Sequence, residues 1–153
     1  MPYKPTSARQ KLESNHTSHG TLSPIPPQWQ KSMGRGQLLI PHPLDVDAMM
    51  RTPRKGQLIT LTQIRSKLAK AAKADTCCPL TTGIFARLAA EAAQEDAAQG
   101  KKKVTPWWRT IRDNGQLIDK FPGQGKLQAQ LLRKEGHAIR PGKGKAPGRV
   151  ALS

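Results

Sequence analysis

The stretch from Lys101 to Gly115, KKKVTPWWRTIRDNG, constrains this chain most, because two of its three tryptophans sit side by side between a lysine run and a tight turn. Neighbouring residues of an extended segment point to opposite sides. If Val104 to Ile111 is extended, one of Trp107 and Trp108 enters a core while the other faces outward beside Arg109 and Arg112. An outward indole next to two arginines can stack on a base or line a pocket. In the alternative, both indoles pack under loops and the arginines are only solvated.

Charge adds direction. The formal net charge is +16, spread unevenly. Residues 1–40 carry 5 Lys and Arg against 1 Asp and Glu, residues 41–100 carry 8 against 6, and residues 101–153 carry 13 against 3. A balanced middle followed by a strongly basic third favours a polyanionic partner, nucleic acid first and an anionic membrane or ribosomal surface second. A basic tail on an ordinary domain would bind nucleic acid only non-specifically. The 153 residues suit one domain, and much of the Gly and Pro lies in the first 43 and last 14 residues. The folded part is therefore expected to span about 100 residues.

No segment approaches the run of about 20 apolar residues that spans a bilayer, and the start of the chain lacks the apolar core of a secretory signal. A reducing, cytoplasmic and nucleoid-associated setting is expected, with no membrane partner. Cys77 and Cys78 are sequence neighbours, so no disulfide framework can be read from them. His16, His19, His42 and His137 show no metal-ligand spacing. Neither a metal nor a cofactor is expected.

Residues 1–37 read as a disordered segment poor in apolar residues; Trp29 in PIPPQWQK is the exception, a lone aromatic that can dock on the domain or on a partner, although most such residues do neither strongly. Order begins at Leu38. Pro43 suits the first position of a helix in which Asp45 and Asp47 complement the positive end, while Val46, Met49 and Met50 recur at helical spacing. A short strand at Gln57 to Thr60 runs into a second helix. Thr60 and Gln63 have capping-box spacing there, and Leu61, Ile64, Leu68 and Ala71 form an apolar stripe. After ADTCCPL comes the longest helix, Thr81 to about Gln99, with Ile84, Phe85, Leu88, Ala89 and Ala92 on its buried side. Two helices joined by a turn, with Thr81, Thr82, Gly83 and Arg87 opening the second, make a helix-turn-helix pattern.

Asn114-Gly115 favours the positive φ angles of a type I′ turn, which would pair strands at about Thr105 to Ile111 and Gln116 to Ile118 as a small wing. A last helix from Lys126 to Glu135 buries Leu127, Leu131 and Leu132 and stops at Gly136. Residues 140–153 form a flexible basic tail. The expected fold is thus mainly α with a small β-hairpin wing: a winged helix-turn-helix DNA-binding domain over residues 38–139, with disordered basic tails.

Three segments in this order, KGQLITLTQI, TPWWRTIRDNGQL and FPGQGKLQAQLLRKEG, resemble the DNA-binding domain of the alkylguanine-DNA alkyltransferases (methylated-DNA-cysteine methyltransferases). The chain is especially similar to their non-catalytic relatives, the alkyltransferase-like proteins. By this resemblance the reactive-cysteine position is Trp107 and the following histidine position is Trp108. Indole is neither nucleophile nor base, so a non-enzymatic protein is implied. The family's nucleotide-rotating tyrosine falls on Leu61, and its finger arginine near Thr81 or Thr82.

What the resemblance implies is a monomer that recognises alkylated or otherwise altered double-stranded DNA in repair, with a DNA-repair protein as a further partner. Its lesion pocket would be formed by Trp107, Trp108 and Leu61. The long helix would enter a groove with Thr81, Thr82, Gly83 and Arg87, while Lys101, Lys102, Lys103, Arg109 and Arg112 would contact phosphates. Arg109 could instead brace the hairpin. A reading from a different class is an RNA- or ribosome-associated adaptor built on a basic winged helix. An active alkyltransferase using Cys77 or Cys78 would need a base beside the thiol, and the sequence offers none.

Overall fold

The longest helix, α5, runs over Pro79–Ala98, and three of the other helices pack against it. In chain order before it come α1 (Ala8–Glu13), β1 (Thr21–Pro24), a 3₁₀ turn at Pro27–Trp29, α2 (Gln30–Met33), β2 (Gln37–Ile40), α3 (Pro43–Met50), β3 (Ile59–Thr60), α4 (Leu61–Ala71) and β4 (Thr76–Cys77). After it come a 3₁₀ turn at Trp107–Arg109, β5 (Thr110–Ile111), α6 (Lys126–Lys134), β6 (Ile139–Arg140) and β7 (Arg149–Val150). This computed structural model describes residues 7–14, 16–144 and 146–151, and the expectations for the remaining positions lie outside them. Among the described residues the fold is mixed α/β, with helix dominant and three small sheets.

Local chemistry sets several element ends. Pro43 occupies the first turn of α3, and the His42 side chain accepts from the Leu44 N–H as its cap. The Thr60–Gln63 capping box closes reciprocally at the start of α4, satisfying two otherwise orphaned N–H groups. Helix α4 then buries Ile64, Leu68 and Ala69, while Leu61 packs only partly and Ala71 is exposed.

Along α5 the wholly buried apolar side chains are alanines: Ala86, Ala89, Ala90, Ala92 and Ala93. Side chains this small let neighbouring backbones approach, and both α1 and α3 lie against this face. Ile84 was expected on the buried side, yet it is 53 % exposed. It follows Leu80 by one turn on the outer face, four residues apart.

Residues 7–37 depart from the expected disorder. Helix α1 docks on α5 through Leu12, which is fully buried. The Ala8 and Arg9 N–H groups both donate to the Glu95 carboxylate, at 2.9 Å each, and Arg9 pairs with Asp96. A carboxylate at the positive end of a helix supplies the acceptors its first N–H groups lack. Strand β1 then pairs antiparallel with β2, which pairs parallel with β4. Ile25, Leu38 and Cys78 form a satellite core on this sheet, with Trp29, Met33 and Ile40 against it. The segment is poor in apolar residues, but most of those it has are anchors, Leu22 at 45 % exposure being the exception.

The expected wing is also different. Trp107–Arg109 is a 3₁₀ turn rather than a strand, and β5 pairs parallel with β3. A tight turn does form, but not the expected type I′ pair: Gly115 N donates to Arg112 O at 2.9 Å and Arg112 N to Gln116 O at 3.0 Å, so Asp113-Asn114 are its central residues and only Gly115, just after them, takes a positive φ. Its second arm bridges to Arg149 instead of extending back along Thr105 to Ile111. The tail from residue 140, expected to be flexible, returns as β7, and Val150 is 2 % exposed.

The N-terminal segment also brings three imidazoles together. Ring centroids of His16 and His19 lie 5.4 Å apart, those of His19 and His42 5.2 Å, and the His19 ring meets Phe85 edge-on at 5.2 Å. No group of three or more His, Cys, Asp or Glu among the described residues is arranged to hold a metal. Burial, followed by the neighbouring His42 and His16, lowers the His19 pKa below its ordinary 6.5.

Two outcomes are expected. Leu12→Ala should lower the unfolding free energy in urea by about 2–5 kcal/mol, the cost of truncating a buried leucine; an unstructured N-terminus would show no change. A base whose pKa is depressed by folding binds its proton better unfolded, so its stability contribution is intact above 6.5 and is lost as pH falls below it. The melting temperature should therefore decline from pH 7.5 to 5, and His19→Gln should flatten that decline. Parallel curves for the two proteins would contradict this role for His19.

Candidate nucleic-acid interface

The Pro-Trp-Trp-Arg turn is held from several directions. Trp107 is wholly buried, its ring edge-on to Trp108 at 6.0 Å and to Phe121 at 5.8 Å, and its indole N–H donates to Gln94 Oε1 at 3.3 Å. Just upstream, Thr105 Oγ1 donates to the buried carboxylate of Asp47 at 2.6 Å, which also receives Arg51 Nε at 2.9 Å. Asp47 therefore faces inward to tie α3 to the turn, instead of complementing the helix end from solvent.

Arg109 is the brace of the two alternatives. Its Nε lies 3.0 and 3.2 Å from the Glu135 oxygens, Nη2 lies 2.6 Å from Oε2, and Nη1 donates to Pro53 O at 2.9 Å. The guanidinium carbon lies 5.6 Å from the centre of the Trp108 ring. With side chains only 14 % and 8 % exposed, this pair leaves Arg109 no free fork for a phosphate. Burial alone would raise the Glu135 carboxyl, but the Arg109 guanidinium, Trp108 and the Gly56 backbone outweigh it and hold it below the ordinary value. The Trp108 indole N–H is buried beside this carboxylate without reaching hydrogen-bonding geometry.

Gln128, which the sequence reading passed over, completes the clamp. It is fully buried on α6, its Oε1 accepts from Ile118 N at 3.0 Å, and its Nε2 donates to the carbonyls of Trp108 and Thr110 at 3.1 and 2.8 Å. One side chain thus satisfies three backbone groups of two strands of chain. A glutamine between Leu127 and Leu131 on an amphipathic helix carries no periodic signal that would have revealed this.

The expected lesion pocket is not assembled as an open site. Trp107 has no exposed surface, Trp108 is wedged between two cores, and Leu61 packs on the main core. None of the three lines the groove of about 770 Å³ that lies outside Trp107 between α5 and residues 119–124. Its walls instead carry Arg87, Glu91, Gln94, Lys120, Phe121 and Gln124.

Of the expected groove residues on α5, Thr81 and Gly83 are half-buried and Arg87 is exposed, with Nε 2.9 Å from Glu91 one turn on. Thr82 is fully buried and donates to the Cys78 carbonyl at 2.7 Å, so it cannot reach a base. What the outer face presents is Leu80 at 62 % exposure, which the sequence reading did not single out, and Ile84 at 53 %, which it placed on the buried side. Spacing alone could have separated them, since they share one outer stripe with Arg87 rather than the alanine stripe.

Lys102 and Lys103 are exposed, whereas Lys101 reaches Asp96 at 3.3 Å. Burial raises the Asp96 carboxyl, but Arg9 and Lys101 together outweigh it and hold it low. Arg112 stands 3.8 Å from Asp119 and is partly exposed. Every described lysine from Lys101 onward is exposed, so the basic excess of this third lies on the surface. Cys77 and Cys78 are buried and unpaired, and burial pushes the Cys77 thiol up, away from the reactive thiolate. Among the described residues no helix is long and apolar enough to cross a membrane.

No family model matches the chain, and no curated protein or solved structure matches it.

The buried Arg109–Glu135 pair generates a prediction. Glu135→Gln strands a buried guanidinium and should cost about 3–5 kcal/mol at pH 7. A carboxylate whose pKa is lowered by folding contributes stability above its unfolded value and loses it as pH falls, so the wild type and Glu135→Gln should converge in acid. Unfolding in urea at pH 7 and pH 3 checks this. A gap that stays constant would show that the charge of Glu135 is not what matters.

Proposed function

We propose that this is a non-enzymatic, duplex-DNA-binding protein of the alkyltransferase-like type, acting on alkylated or otherwise altered DNA in repair. The observation that carries the reading is the exposed basic surface of the C-terminal third. That third carries thirteen Lys and Arg against three Asp and Glu; Arg109 and Glu135 cancel each other inside, and every described lysine of the third is exposed. In this reading α5 approaches the duplex with Thr81, Gly83 and Arg87, while Lys102, Lys103 and Arg112 neutralise phosphates. The turn over residues 112–116 serves as a reduced wing. An indole at the position of the resembled family's nucleophile, sealed in the core, supports binding rather than alkyl transfer. The protein acts as a monomer in the cytoplasm, associated with the nucleoid.

A second reading, an RNA- or ribosome-associated adaptor, is favoured by Leu80 and Ile84. Apolar side chains this exposed on the helix that would enter a groove also suit a protein surface.

The test is fluorescence anisotropy with two matched duplexes, one plain and one carrying a single alkylated guanine, over a range of salt. Binding steeply dependent on salt is expected, tighter for the alkylated duplex. Lys102→Ala with Lys103→Ala should flatten the slope of log K against log salt by about two, roughly one unit per lost phosphate contact. Absence of binding to both duplexes, with binding to structured RNA, would replace this reading by the adaptor. Because Trp107 is buried, Trp107→Ala would report on folding rather than recognition, at about 3–5 kcal/mol.

A further inference from the structure

The C-terminal residues build a three-stranded patch. Val150 N donates to Gly115 O at 2.8 Å, Leu117 N to Gly148 O at 2.9 Å and Ala151 N to Ala138 O at 2.9 Å. In register, Gln116 faces Arg149, and Arg149 faces Arg140. Residues directly opposite across antiparallel strands project to the same face. Gln116, Arg149 and Arg140 therefore stand in one row, while Leu117, Ile139 and Val150 turn under them into a small core with Ile111, Ala129 and Leu132. Both arginines are exposed.

This row is electrostatically incomplete. Two arginines directly opposite each other in a sheet repel, and among the described residues neither forms an ion pair. The acids of the same third are engaged elsewhere: Asp113 accepts from Thr62, Asp119 is nearest Arg112 and Glu135 is held by Arg109. The loop joining the two strands is also closely wound. A Cβ added at Gly148 would lie 2.6 Å from Arg140 O, and one at Gly142 would lie 2.2 Å from Ala146 O. Glycine at both positions lets the backbones close together, which fixes the strands that carry the arginines, and exposed Lys143 lies in the same loop.

We propose that the row Gln116–Arg149–Arg140 is a phosphodiester-backbone contact for a DNA duplex, separate from α5. The planar guanidinium fork matches phosphate oxygens bidentately, and glutamine supplies a neutral donor beside it. Cross-strand Cα spacing of about 5 Å lets both forks close on one phosphate or on consecutive phosphates of one strand. The contact reads no base, so it adds affinity and register rather than sequence preference. It rests on the duplex binding proposed above and assigns the tail a built site instead of a diffuse charge.

The experiment compares the full chain, Arg140→Gln/Arg149→Gln and Arg140→Lys/Arg149→Lys on a plain duplex and on a structured RNA, each at several salt concentrations. The Gln pair should flatten the duplex salt slope by about two, and the Lys pair, which keeps the charge, should retain most of it. Removing the Arg–Arg repulsion should leave the melting temperature of the Gln pair equal or higher, which separates lost contact from lost fold. If the full chain binds the duplex and the Gln pair binds it with an unchanged slope, the row is not a contact while the functional reading stands. If the Gln pair melts lower and the Lys pair loses as much affinity, the arginines are structural and the proposal fails. If only RNA binding responds, the ligand class is wrong. If the full chain binds no duplex, the functional reading falls and this contact with it.

Discussion

The buried ion pair between Arg109 and Glu135 is the constraint on which the rest of the architecture depends. It joins the Pro-Trp-Trp-Arg turn to the end of α6, and through Pro53 O it also fixes the loop after α3. Burying two charges costs several kcal/mol per ion unless geometry and extra hydrogen bonds compensate. Here the contact is bidentate, an indole face covers the guanidinium, and the remaining donor finds a carbonyl. Gln128 holds the same turn from below by its backbone, and the wholly buried Trp107 fills the space between the turn and α5. A segment that looks like a recognition surface in sequence is thus a keystone in structure.

That arrangement leaves any recognition, on the proposed function, to the periphery. With Arg109 and Trp107 committed to packing, the groups left free to meet a polyanion are those at the periphery: Arg87 beside its own Glu91, the exposed lysines after α5, and the arginines of the C-terminal patch. Charge is distributed so that the core side of the C-terminal third pairs its acid while the outer side keeps its cations. On the function proposed above, a surface of that kind would attract a duplex at long range and lose affinity steeply with salt.

Much of the central fold is legible in the sequence because its signals are local. Pro43, the Thr60–Gln63 box, the stripe on α4 and the length of α5 each rest on interactions within a few residues. The tails were misread because their order is non-local. Leu12, Ile25 and Val150 are single anchors without periodicity, and the partner of α1 is Glu95, more than 80 residues away. Ile84 was misplaced because five alanines, rather than the larger side chains, define the buried face of α5. Of the site, the exposed lysines and the brace alternative for Arg109 could be read; the burial of Thr82 and the clamp by Gln128 could not, since the first depends on which face α5 turns to the core and the second on backbone groups 10 to 20 residues away.

The most direct measurement is amide chemical-shift perturbation of the isotopically labelled full chain titrated with a plain DNA duplex. The account predicts shifts concentrated at Leu80 to Arg87, at Lys102 and Lys103, and along Gln116, Arg140 and Arg149, with the amides around Trp107 and Gln128 unmoved. Shifts centred on β1 and the His16–His19 segment, or none at all, would contradict it.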